Sequence, residues 1–160
     1  YQKTGSQAAG SIRKVVGKTF SEQLRFQDSK KKDKSPIYEL LPVSYEMCLK
    51  EDSEGDFRTE NYATLVHELA HLYCGHLGTP NKKWWPDRSG LSITVEEFEA
   101  ESVSYLVCNR LGINTPAEEY LSGYIKKEEK LSTSISLECI MKSAGLIERM
   151  GRGRLKVRKK

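Results

Sequence analysis

The chain has 160 residues, 38% of them hydrophobic and 30% charged, with a formal net charge of +4; this is enough for one domain with a real core and too little for two well-buried ones. No apolar run approaches the length needed to cross a bilayer, and the first residues lack the charged-then-apolar pattern of a secretion signal, so neither a membrane-spanning nor a secreted protein is expected. Residues 1–34 carry nine Lys/Arg against three acids, residues 151–160 six against none, and residues 35–150 eleven against nineteen, a distribution unlike that of a uniformly basic nucleic-acid-binding domain.

In chain order, residues 1–34 read as a basic N-terminal segment that is partly flexible, with a short helix expected in part of it and a linker over Asp28 to Lys34. The absence of an initiating Met suggests a fragment of a longer protein. Ile37 to Leu49 mixes β-formers with partial alternation and is interrupted by Pro42, which predicts one or two strands with an edge position near the proline. Asp52 to Asp56 is a polar loop. Thr59 is a suitable N-cap for a helix running to about Cys74, with Gly75 as its stop. Thr79 to Gly90, with Pro80, Trp84, Trp85 and Pro86, reads as a loop. Thr94 predicts a second N-cap with Glu97 as its capping-box partner, opening a helix that runs to about Leu111 and closes at Gly112. Thr115 and Pro116 open a third helix, and Ser134 or Ser136 a fourth that ends near Met150 and Gly151. The expected class is α+β, with a small antiparallel or mixed sheet and a mostly helical C-terminal half. A domain over residues 35–150 is followed by a basic tail, 151–160. The basic ends can make weak contact with DNA or an acidic partner, and simple solvation accounts for them equally well. Cys48, Cys74, Cys108 and Cys139 stand singly, without a Cys-x-x-Cys pair, and read as reduced, buried cysteines of a cytoplasmic protein.

The first of these helices carries His67-Glu68-Leu69-Ala70-His71. Two histidines four apart lie about 40° from each other around a helix axis, so both imidazoles can reach one metal ion. Glu68 lies about 100° round from His67, away from the pair but within reach of a metal-bound water, as a general base requires. The competing account, two polar residues flanking the Leu65, Leu69, Leu72 face of an amphipathic helix, leaves the bracketed glutamate unexplained. A hydrolytic zinc needs a third protein ligand and one open position. His76 falls five residues after His71 and past the Gly75 stop, and the chain misses the metzincin spacing, so His76 is expected in a capping or surface role. The acidic cluster Glu96, Glu97, Glu99 and Glu101 is the better source. Glu97 is the first choice, with Glu99 and Glu101 as alternatives. Glu97 and Glu101 share a face at four-residue spacing, which lets Glu101 accept a hydrogen bond from the free ring nitrogen of a ligating histidine.

The run from His67 to Gly78, then Trp85-Pro86-Asp87-Arg88, then Glu97 to Cys108, resembles the ImmA/IrrE family of zincin-like metallopeptidases and the metallopeptidase half of ArdC-type antirestriction proteins, over roughly residues 37–150. The resemblance implies a minimal zincin-like fold with its sheet packed on the active-site helix, one zinc ion per chain, and Glu97 as third ligand. Glu101 stands where the family often has Asn or Asp. It implies hydrolysis of a peptide bond by a zinc-activated water with Glu68 as base, in a narrow protein substrate such as a transcriptional repressor of a mobile element or stress response. The ArdC-like alternative is a DNA-associated antirestriction factor. A metal site kept only for structure has no use for Glu68. Tyr73, His76, Arg88 and Tyr105 are the donors considered for the developing oxyanion. Trp84 and Trp85 suit a substrate cleft or an aromatic cap on the core, and an edge strand within 37–49 could bind an extended peptide by strand addition.

Overall fold

The computed structural model describes residues 10–24, 37–49, 60–127 and 132–153. Among them the order is β1 (Gly10–Leu24), β2 (Ile37–Leu49), α1 (Glu60–Tyr73), α2 (Ile93–Arg110), α3 (Ala117–Lys127) and α4 (Leu137–Arg152). The chain is therefore α+β, with a two-stranded antiparallel sheet and a mostly helical remainder. No helix among the described residues is long and apolar enough to cross a membrane. The chain divides into two compact units, Arg13–Glu46 and a second made of Tyr1–Ile12 with Met47–Lys160.

Where a short helix was expected near the N-terminus, residues 10–24 form a strand. Ile12, Val15, Val16 and Thr19 are β-branched and lose side-chain freedom in a helix, whereas pairing with β2 gives the backbone a ladder. Gly17, at φ +74°, adopts a conformation that no helix interior contains. Glu46 on β2 receives Arg13 at 2.7 Å and also Lys18. These pairs are exposed and contribute little to stability. The segment 37–49 is one strand, and among the described residues the sheet has two strands, both of them edges, so Pro42 interrupts no interior ladder there. Cys48 is exposed rather than buried, because alternation along β2 turns it away from the half-buried Met47 and Leu49. Cys74 and Cys108 are buried, and Cys139 is half-buried. The linker assigned to Asp28–Lys34, the loop at Asp52–Asp56 and the cap at Thr59 lie outside the described residues.

In the helical unit α2 packs against α1, α3 and α4, and α1 also packs against α4. Three apolar stripes at helical spacing meet in the core: Val66, Ala70 and Tyr73 of α1, Ala100, Val103 and Val107 of α2, and Ile140, Ala144 and Ile147 of α4. The cap of α2 is Ser92, whose Oγ accepts from the Val95 N–H, and not Thr94. Starting there buries Val95 and Phe98 and moves Glu97 out of the capping box. Ser136 caps α4, accepting from the Cys139 N–H at 3.2 Å, which decides between the two serines.

Both glycine stops close their helices as Schellman turns. At the end of α1 the Gly75 N–H donates to Leu72 O at 3.1 Å and the His76 N–H to His71 O at 3.0 Å, with Gly75 at φ +85°. At the end of α2 the Gly112 N–H donates to Asn109 O and the Ile113 N–H to Cys108 O. Gly75 also admits a close crossing, since a Cβ there would stand 2.1 Å from Pro86 O. The loop 79–90 is fastened at that point by the Arg88 N–H, which donates to Gly75 O at 2.9 Å.

Candidate metal centre

Helix α1 brings His67 and His71 to one side and α2 lays Glu97 across from them. His67 Nε2 is 3.1 Å from His71 Nε2 and 3.4 Å from Glu97 Oε2, and His71 Nε2 is 3.6 Å from Glu97 Oε1. Ligand atoms about 2.0–2.1 Å from a tetrahedral zinc stand roughly 3.3–3.4 Å apart; the two imidazole nitrogens and the Glu97 carboxylate, which faces His67 through Oε2 and His71 through Oε1, come near that spacing. The donor set, two imidazoles and a carboxylate, is one that zinc accepts. These residues could hold a metal ion.

His67 is fully buried, and its other ring nitrogen, Nδ1, lies 3.3 Å from Glu101 Oε1. The distance suits a charge pair, although the alignment falls short of a hydrogen bond. Burial works against the charged ring, but the Glu101 and Glu97 carboxylates outweigh it and push the His67 pKa up to about 9. His71 moves the other way, lowered by burial and by the positive charge on His67. Without a metal these shifts favour the additional proton on His67 and leave His71 the neutral ring. Glu68 follows His67 on α1 and is only 5% exposed.

His76, expected in a capping or surface role, is buried. Its Nδ1 is 2.9 Å from His71 Nδ1 and its Nε2 is 2.9 Å from Glu99 Oε2. The Schellman turn explains the placement, because the residue after the glycine folds back over the residue five before it, a contact that apolar side chains usually make. Glu99 points away from Glu97, into the helical unit. Arg88 Nη2 donates to its Oε1 at 2.8 Å, Arg88 Nη1 to its Oε2, and the Ser136 N–H to its Oε1 at 2.6 Å. Burial opposes its ionisation, but His76, Arg88 and the Ser136 N–H together hold the carboxyl down at about 2.

Cys74, His76 and Glu99 form a second group close enough to hold a metal ion. Its chemistry is less suitable. Burial pushes the Cys74 thiol up to about 12, its Sγ lies 3.3 Å from Ser143 Oγ, and a guanidinium already neutralises Glu99.

Of the remaining residues singled out in the sequence, Tyr73 is buried with its hydroxyl donating to Met150 Sδ at 3.3 Å. Arg88 is engaged by Glu99 and Ser134 O. Tyr105, two turns beyond Glu97, is half-buried and makes none of the contacts of the cluster. Glu96 is half-buried, its carboxyl raised chiefly by burial. Trp85 stands edge-on to Tyr73 at 5.5 Å and donates through Nε1 to Gly78 O. With Trp84, Lys83, Cys139 and Leu146 it lines a cavity of about 360 Å³. None of the histidines borders that cavity. The buried Arg88–Glu99 pair and the contact of His76 with His71 were not foreseen from sequence, although Gly75 carried the signal for the second.

Comparison of the chain with protein-family models, with curated proteins and with solved structures finds no match.

Proposed function

We propose that this chain is a zinc-dependent peptidase with a zincin-like fold, akin to the ImmA/IrrE metallopeptidases, that cuts a narrow protein substrate such as a transcriptional repressor. The observation that carries the reading is the set of separations, 3.1, 3.4 and 3.6 Å, among the Nε2 atoms of His67 and His71 and the Glu97 carboxylate. A zinc ion bound there would supply a Lewis acid that brings the pKa of a water molecule toward neutrality and polarises a carbonyl group. His67, His71 and Glu97 would hold the ion, with the Glu97 carboxylate offsetting part of its charge. Glu101, beside His67 Nδ1, fixes the orientation of that ring. Glu68 takes the proton that the attacking water loses and returns it to the departing amine. Its burial keeps bulk water from competing for that proton.

The test is cleavage of repressor proteins encoded beside this chain, followed by mass spectrometry, with the zinc-loaded protein and its Glu68→Gln variant. The expected result is a defined cut by the wild type and a rate lower by about 10²–10⁴-fold in the variant, with zinc content unchanged. Equal cleavage by the variant would remove Glu68 from the mechanism. Salt-sensitive DNA binding without cleavage would favour the antirestriction class instead.

A further inference from the structure

We propose that His76 and Glu99 are positioning residues for the metal centre, holding His71 in the tautomer that turns its Nε2 lone pair toward His67 and Glu97. The inference rests on the metal-binding reading above and adds to it what fixes the second histidine. Glu99 is fully buried and meets two guanidinium N–H groups of Arg88 and the backbone N–H of Ser136. An ionised carboxylate only accepts hydrogen bonds, so the fourth contact, at 2.9 Å, requires the hydrogen to sit on His76 Nε2.

The Arg88 guanidinium already balances the Glu99 carboxylate, which leaves no counter-charge for an imidazolium at buried His76, and the other nitrogen of a neutral imidazole is an acceptor. His76 Nδ1 stands 2.9 Å from His71 Nδ1, a separation at which one of the two must carry a hydrogen. That hydrogen therefore belongs to His71. Its Nε2 is left as the lone-pair nitrogen, 3.1 Å from His67 Nε2. The opposite tautomer would press two lone pairs together at Nδ1 and aim an N–H into the cluster.

The local fold builds this relay from one loop. Gly75 turns His76 back over His71, and Arg88, whose own N–H is tied to Gly75 O, carries the guanidinium that holds Glu99. The two histidines are thus braced from outside in different ways, His67 by Glu101 directly and His71 by Glu99 through His76.

The experiment combines nitrogen–proton correlation spectra of the histidine rings in the metal-free protein with zinc affinities from chelator competition, for the wild type, His76→Leu and His76→Gln. Wild-type His71 should carry its hydrogen on Nδ1. Zinc affinity should fall about 10–100-fold in His76→Leu. His76→Gln should restore most of it, because its carbonyl can accept from His71 while its amide donates to Glu99. A hydrogen on Nε2 of wild-type His71 would overturn the proposal, and so would a folded His76→Leu protein with unchanged affinity. The wild-type spectrum decides the matter should that variant not fold. A wild type that takes no zinc but keeps the Nδ1 hydrogen would sink the metal reading and leave the tautomer control standing. Zinc binding indifferent to His76 would do the reverse.

Discussion

Glu99 shows how much one buried charge can organise. Its side chain is fully buried and that of Arg88 is 15% exposed, so the pair is largely shielded from water. Replacing Arg88 with Leu would leave the carboxylate facing His76 and one backbone N–H, and urea titration should register a loss of about 3–5 kcal/mol. The pH dependence follows from the same contacts. The folded-state pKa of Glu99, about 2, lies below the ordinary value of 4.5. Its ionisation therefore supports the fold above about pH 4.5, and that support is lost as the pH falls from there through about 2. The acid slope of melting temperature should flatten over that window in Glu99→Gln; identical slopes would assign acid unfolding to other groups. At this scale helix periodicity alone puts Glu99 on a different face from Glu97 and Glu101, although the sequence left Glu99 among the alternative ligands. It offered no sign that Arg88, eleven residues earlier in a loop, would reach Glu99, since that contact depends on the path of the loop across Gly75.

The elements that position the site end at glycines, and those ends were legible. Gly75 and Gly112 stand where α1 and α2 stop, both at positive φ. Gly75→Ala should be severely destabilising, because the left-handed conformation costs a side chain about 1–2 kcal/mol and the new Cβ would also collide with Pro86 O. Thermal melting and zinc affinity should fall together, since the same turn carries His76. A neutral substitution would mean that the turn is not closed as described. What the sequence reading missed was the sense of the turn. Continuing the helix past His71 sends His76 away from the cluster, whereas the Schellman closure at Gly75 brings it back. The start of α2 was harder to locate, because Ser92 and Thr94 are both competent caps and only the burial of Val95 and Phe98 separates them.

For the whole molecule, the α+β class and the helical C-terminal half could be read from caps, stops and apolar spacing, all local signals. The strand at 10–24 could not, because its partner begins after a further twelve residues and strand preference depends on that pairing. A metal ion held by His67, His71 and Glu97 would tie α1 to α2, so zinc should raise the melting temperature, by an amount equivalent to about 2.7 kcal/mol when free zinc is a hundredfold above its Kd. His67 holds a proton up to about pH 9 in the metal-free protein. That proton must leave before Nε2 can accept a metal, so calorimetry in buffers of different ionisation heat should find about one proton released per zinc at neutral pH. Affinity should climb by about tenfold per pH unit and level off near pH 9; a pH-independent affinity would remove His67 from the ligand set. The most direct test is elemental analysis of zinc-loaded, desalted protein beside its Glu97→Ala, Glu96→Ala and Glu68→Gln variants. About one zinc per chain is expected in the wild type, Glu96→Ala and Glu68→Gln, with loss in Glu97→Ala. Zinc retained in Glu97→Ala, or none bound by the wild type, would contradict the metal centre from which the rest follows.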